Sequence, residues 1–231
     1  MIKTVKQGDK LSGKLTAASL EYQKSCPSVL KESRSFPSAV KYNLTIGKDK
    51  KFVWFRVAKV ATRTIFNALA KADVQLEAEH TMRVHYPYLQ YRNHFKFALV
   101  RNPFDRLVSC WKNKVLDNNY FNFSEEEWAK MKEFENFVTY VESKNIMRCD
   151  HHFRSQSRLI DLNNIDFLGR FERLDKDLPF IMNTLGIDQS FIQHRNKSKE
   201  KADYRSFYDT NLVARVEKIY EKDLNIFNYD F

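Results

Sequence analysis

The stretch that most limits what this chain can fold into is Phe52-Val-Trp-Phe-Arg-Val-Ala-Lys-Val-Ala-Thr-Arg-Thr-Ile65. It opens with an apolar run, Phe52 to Val57, rich in β-branched and aromatic residues, which reads as a buried strand. A basic, hydroxylated turn follows, carrying Lys59, Thr62, Arg63 and Thr64. Ile65, Phe66, Leu69 and Ala70 then recur at helical spacing. Strand, turn and helix in this order aim backbone N–H groups and a helix N-terminus at one point, and the lysine adds a full charge, so the element reads as an anion site. The turn has no glycine and is not a Walker loop, which needs Gly-x-x-x-x-Gly-Lys-[Ser/Thr]. The bland alternative is a βα connection with surface cations.

The other strands and helices fit around this element. Phe95 to Val100 reads as a second strand that stops at Arg101-Asn102-Pro103, where proline suits the first turn of a helix over about 103–116. Ser124-Glu-Glu-Glu127 is a capping-box signature, and Phe134, Phe137, Val138 and Val141 follow at helical spacing. Asp166 to Phe171 reads as a third strand, Leu174 to Leu185 as a helix closed by Gly186, and Tyr204 to Lys222 as a last helix. A short strand is expected over 74–77 and a loop over 80–85. Residues 1–50 are expected to form an irregular segment, with a short helix over 15–23, packed on a main domain over 51–231. The expected class is α/β: a P-loop-like central parallel sheet flanked by helices on both faces, with helix-rich insertions. Ligands in such sheets bind at the carboxyl ends of strands, which puts Lys59, Arg101 and Arg170 at one edge.

Charge narrows the partners. The 231 residues carry 39 Lys+Arg against 29 Asp+Glu, a net charge of +10 that favours anionic ligands such as nucleotides, sulfated sugars, nucleic acid or acidic lipid. Three widely spaced cysteines, Cys26, Cys110 and Cys149, form no zinc or disulfide pattern and suit a reducing compartment. The N-terminal residues contain no apolar signal-peptide core and no run is long enough to span a bilayer, so a cytoplasmic setting is expected.

A second stretch, Leu99-Val-Arg-Asn-Pro-Phe-Asp-Arg-Leu-Val-Ser-Cys-Trp-Lys-Asn-Lys114, sets Arg101 at a strand end and Ser109 two turns into the next helix. An arginine and a hydroxyl so placed can hold one phosphate; Asp105 and Arg106 could instead form a local ion pair. Taken with Lys59 to Thr64, this stretch resembles the sulfotransferases that use 3′-phosphoadenosine 5′-phosphosulfate (PAPS). The closer likeness is to the Golgi carbohydrate sulfotransferases (family 2) and their soluble bacterial-type relatives. Three further segments are similar in order: His152-Phe-Arg-Ser-Gln156 to the family's His-Trp-x-Pro-Gln, Phe167 to Glu172 with Leu174 and Asp177 to its Gly-Arg-x-Glu strand and helix, and Tyr220 to Phe231 to its C-terminus. The likeness covers about 52–231. This chain departs from it in having Ala58 and Ala61 where relatives often carry proline and glycine. It also lacks the cysteines that follow His-Trp-x-Pro-Gln in secretory relatives.

The resemblance implies that Lys59, Val60, Ala61, Thr62, Arg63 and Thr64 hold the 5′-phosphosulfate of PAPS, and that Arg101 and Ser109 hold the 3′-phosphate. It also implies a lid before the last helix, assigned here to Arg195 and Ser198. The acceptor is expected to be a hydroxyl of a carbohydrate or glycolipid, and nucleic acid is not an expected partner. Sulfuryl transfer, like phosphoryl transfer, runs by in-line displacement helped mainly by positioning and charge. Lys59 is placed at the leaving oxygen. No Asp/Glu cluster suggests a metal, and Asp150-His-His reads poorly as a metal site because adjacent side chains are expected to diverge. The base that takes the acceptor's proton is sought among His80, His85, His151 and His152, with His85 preferred and His80 next. Two rival readings are a P-loop-like ATP-dependent kinase, against which the absence of a strand-end Asp counts, and a non-enzymatic polyanion-binding module.

Overall fold

Near-continuous apolar runs make strands that are covered on both faces. In the computed structural model, which describes residues 38, 40–192 and 203–231, this produces a five-stranded sheet in the order β3-β1-β2-β4-β5. Its strands are β1 (Tyr42–Gly47), β2 (Phe52–Phe55), β3 (Leu76–Val84), β4 (Phe95–Val100) and β5 (Phe167–Arg170). Every residue of β1 and β2 is buried. Strands β2 and β4 pair in parallel, Trp54 opposite Phe97, while β1 pairs antiparallel with both β2 and β3. The α/β class holds, and the sheet is mixed: its parallel part is joined to an antiparallel hairpin and edge.

Two sequence expectations need correction. Residues 1–50 are not irregular throughout, because Tyr42–Gly47 is β1; the helix expected over 15–23 lies outside the described residues. The loop expected over 80–85 and the short strand over 74–77 are one nine-residue strand, β3. Both strands carry polar residues inward. Thr81 Oγ1 meets the backbone N and O of Leu44 at 3.2 and 2.9 Å, and Thr45 Oγ1 donates to Glu79 O at 2.5 Å. These hydroxyls sit where the β1–β3 register shifts, and in β3 the shift breaks the period-two alternation that marks a strand. The β1–β2 hairpin needs Gly47, since a Cβ there would lie 2.2 Å from the Phe52 ring.

The helices are α1 (Thr62–Lys71), α2 (Pro103–Trp111), α3 (Glu125–Met131), α4 (Phe134–Glu142), α5 (Leu174–Thr184) and α6 (Thr210–Phe227). Helix α2 continues as a π-helical turn, Lys112–Leu116. The expected capping box at Ser124 and Glu127 is present, and Gly186 closes α5 at φ +62°. The described chain divides into two compact units. One holds the sheet with α1 and α5. The other holds Ala58–Val60, Val100–Arg158 and the described residues from 203 onward. In this second unit, α2, α4 and α6 pack around Phe104, Leu107, Phe137, Val138, Phe153 and Val216.

Candidate active site

The loop after β2 is held in an uncommon backbone shape. Lys59 and Ala61 have φ of +73° and +64°, left-handed conformations that cost roughly 1–3 kcal/mol each in a non-glycine residue. Val60 between them is fully buried, which anchors the loop by its side chain and leaves its backbone to the turn. Ala61 is the N-cap of α1 and supplies no side-chain cap, so the helix start keeps donors for another acceptor. Thr62 Oγ1 donates to Val57 O at 3.2 Å. That hydroxyl therefore closes the turn, whereas the sequence reading gave it to an anion. Arg63 is exposed and Thr64 half-buried.

In the second unit, Lys59 and Arg101 come together. Arg101 Nη1 donates to Lys59 O at 3.0 Å, across 42 residues of sequence. Its Nε and Nη2 make a two-pronged pair with Asp105, both bonds 2.7 Å. The fork that could seize a phosphate bidentately is thus engaged by a carboxylate, and Arg101 works as a brace for the loop. The Asp105–Arg106 pair considered from sequence does not form. Arg106, fully buried, donates instead to three carbonyls: Ala58 O at 3.1 Å, Arg154 O at 2.8 Å and His151 O at 3.0 Å. Ser109 is half-buried on α2.

The downstream motif residues hold Arg101 in place. Gln156 accepts from Arg101 N at 3.0 Å and donates to Arg101 O at 2.8 Å, as a paired strand would. Asp223, fully buried, accepts from Ser155 Oγ at 2.6 Å, Gln156 N at 2.5 Å and Ser157 N at 3.0 Å. Burying this carboxylate is sustainable because three donors satisfy it.

The Lys59 ammonium donates to Asn113 Oδ1 at 3.1 Å. Asn113 lies in the π-helical turn, a distortion that often marks functional positions. The next residue, Lys114, sets its ammonium 4.0 Å from the Tyr120 ring, which meets the His152 ring edge-on at 4.7 Å. His152 Nδ1 is 2.8 Å from Asp150 Oδ1, and the same oxygen accepts from His152 N at 2.9 Å. Burial lowers the His152 pKa, the Asp150 bond and charge oppose this, and the Lys114 and Lys59 ammonium groups lower it further. Asn113, Lys114 and Tyr120 were given no role by the sequence reading and Asp150 entered it only as a poor metal ligand, because no spacing rule links them to Lys59.

The other histidines differ. His80 lies on β3 with both ring nitrogens near Arg56 Nη1, at 2.8 and 3.2 Å. Burial first and the Arg56 charge second push its pKa down to about 3. His85 Nδ1 donates to Ser38 O at 2.6 Å. Asp150, His151 and His152 do not diverge as expected: their donor atoms lie within 4.8 Å of one another, and the two imidazole rings are 4.1 Å apart. Arg195 and Ser198 lie outside the described residues.

The chain matches the family model of the Sulfotransferase family over residues 42–230. It is 28% identical over 174 residues to carbohydrate sulfotransferase 10 of Xenopus laevis, a match covering 59% of this chain and 48% of that one. To carbohydrate sulfotransferase 12 of Mus musculus it is 27% identical over 184 residues, covering 66% and 43%. The chain thus spans about half the length of the curated relatives it matches. Among solved structures, a sulfotransferase from Alicyclobacillus acidocaldarius aligns at 20% identity over 62% of this chain and 60% of that one, with a TM-score of 0.27. A phosphate-type loop braced by Arg101 and a family match over most of its length lead to one conclusion: the chain belongs to the sulfotransferase family.

Proposed function

We propose that the protein transfers the sulfuryl group of PAPS to a hydroxyl of a carbohydrate or sugar-bearing acceptor. The observation that carries this reading is the bond from Arg101 to Lys59 O, which ties the two sequence motifs into one structure and leaves the Lys59 ammonium on Asn113. Lys59 stabilises charge on the oxygen that leaves sulfur. The backbone N–H groups of residues 60–63, with the Thr64 hydroxyl and Arg63, receive the phosphosulfate. Arg101 and Ser109 receive the 3′-phosphate, Arg101 by sharing its fork with Asp105. No metal is required, because transfer of a sulfonate concentrates less charge than transfer of a terminal phosphate. A carbohydrate acceptor is supported by the names of the relatives.

A reducing, cytoplasmic setting is part of the same proposal. It is supported by the free thiols Cys110 and Cys149, and no helix among the described residues is long and apolar enough to cross a membrane. Transfer of ³⁵S from PAPS to unsulfated glycan oligosaccharides tests the activity. Labelled product is expected; magnesium-dependent ATP turnover in its place would support the kinase reading.

A further inference from the structure

We infer that His152 is the base that takes the acceptor's proton, with Asp150 as the residue that positions it. This rests on the sulfuryl-transfer reading above and replaces His85 and His80 in that role. In the step, the acceptor oxygen bonds to sulfur as its proton passes to His152 Nε2. The bond from sulfur to the 5′-phosphate oxygen breaks, and its electron pair stays on that oxygen beside Lys59. The products are the sulfate ester, the desulfated nucleotide PAP and a protonated His152, which returns its proton to solvent.

Three observations converge on this residue. The first is orientation. An ionised carboxylate only accepts hydrogen bonds, so Asp150 fixes the His152 proton on Nδ1 and leaves the lone pair on Nε2. The backbone bond from His152 N to the same oxygen locks the turn that makes the pairing possible. The second is access: the His152 side chain keeps 12% of its surface exposed, and Nε2 is not among the buried unpartnered atoms of the described residues. The third is company. His152 is faced by Asp150, the His151 ring at 4.1 Å and the Tyr120 ring at 4.7 Å; Lys114 stands on that Tyr120 ring, Lys59 on the neighbouring Asn113, and both charges lower the His152 pKa. Lys59 is the residue assigned to the leaving oxygen, so base and leaving-group cation belong to one cluster. Burial and the two lysines hold the ring neutral near pH 7, the state a base needs. His80 faces a guanidinium instead, whose charge and burial hold its pKa near 3.

The experiment combines nitrogen NMR of the wild-type protein, assigned against His152→Gln, with PAPS cleavage in the presence of unsulfated chondroitin oligosaccharides. At pH 7 His152 is expected to show a protonated Nδ1, an unprotonated Nε2 and a response to added PAP. His152→Gln is expected to bind PAP within about threefold of wild type and to lose about 10²–10⁴-fold in turnover. Asp150→Asn is expected to lose about tenfold or more. It should also move the acid limb of kcat/KM to lower pH, since Asp150 raises the His152 pKa; a merely structural role would leave that limb in place. A chelator is expected to have no effect. The inference is overturned by a proton on Nε2 in the neutral ring, by full turnover in His152→Gln, by metal-restorable activity, or by His85→Gln abolishing turnover with PAP affinity intact. Should His152→Gln fail to fold, His152→Asn supplies the assignment, and the tautomer and PAP response of the wild-type ring decide. If the wild type does not bind PAP, the donor reading falls; if it binds PAP and the His152 ring is indifferent, the base assignment alone falls.

Discussion

Two histidines in this molecule sit against opposite charges. His80 faces the buried Arg56 guanidinium, and His152 faces the Asp150 carboxylate. Burial lowers the pKa of both rings. The partner then decides what the neutral ring can do. Against Arg56, the lone pair of the neutral ring points at a cation and the His80 pKa falls to about 3, so the ring serves as an acceptor that helps bury an arginine. Against Asp150, one nitrogen must donate and the other keeps its lone pair for an incoming proton. The same side chain is a structural partner in one unit and a base in the other, and the charge beside it makes the difference.

The comparison is sharpened most by removing the cation that serves the His152 cluster. Lys59→Ala is expected to reduce turnover by about 10²–10³-fold, with PAP affinity changed only a few-fold, as steady-state rates and calorimetry would show. It should also move the acid limb of the pH profile upward, because the Lys59 charge holds the His152 pKa down. An unchanged rate would remove Lys59 from the leaving oxygen.

The next effect is one of stability and falls on the other histidine. The folded pKa of His80 lies near 3, below its unfolded value. The unfolded state therefore binds the extra proton as pH falls from about 6.5 toward 3, and stability declines over that window. His80→Gln removes this penalty, worth roughly 3 kcal/mol at pH 4. Urea melts at pH 4 and 7 should show a smaller loss in the variant than in the wild type. Turnover at pH 7 is expected to stay within a few-fold. A large loss of turnover with PAP binding kept would return the base to His80 and undo the contrast.

The smallest effect tests the loop that carries Lys59. Ala61 stands at φ +64° where relatives of the resembled family often carry glycine. Ala61→Gly is expected to stabilise the fold by about 1 kcal/mol by relieving a left-handed alanine, seen as a higher thermal midpoint. A lower midpoint would mean that the methyl group packs better than the strain costs.

What could be read from sequence follows from where the physics is local. Strands β2 and β4 and helices α2, α5 and α6 announce themselves, because apolar runs, Pro103 and Gly186 act within a few residues. Strands β1 and β3 do not. Strand β1 alternates, Tyr42, Leu44 and Ile46 against Asn43, Thr45 and Gly47, but over only six residues and with its polar side buried; in β3 the register shifts turn Thr81 inward and break the period of two. The site divides in the same way. Lys59 and Arg101 were legible as a pair of motifs, although the commitment of Arg101 to Asp105 and Lys59 O was not. Asp150 and His152 lie two residues apart, and only a tight turn closed by the His152 N–H brings their side chains together. Asn113 meets Lys59 from the π-helical turn beyond α2, 54 residues away in sequence.

The central claim is that Lys59 and Arg101 belong to one PAPS site. Its most direct test is calorimetric titration of the wild-type chain with PAP, repeated on Arg101→Ala. Saturable one-to-one binding is expected, weakened about tenfold or more when Arg101 is lost, since a charge-assisted contact and the brace on the Lys59 loop go together. Absence of binding at millimolar PAP, or equal affinity in the Arg101→Ala variant, would contradict the account.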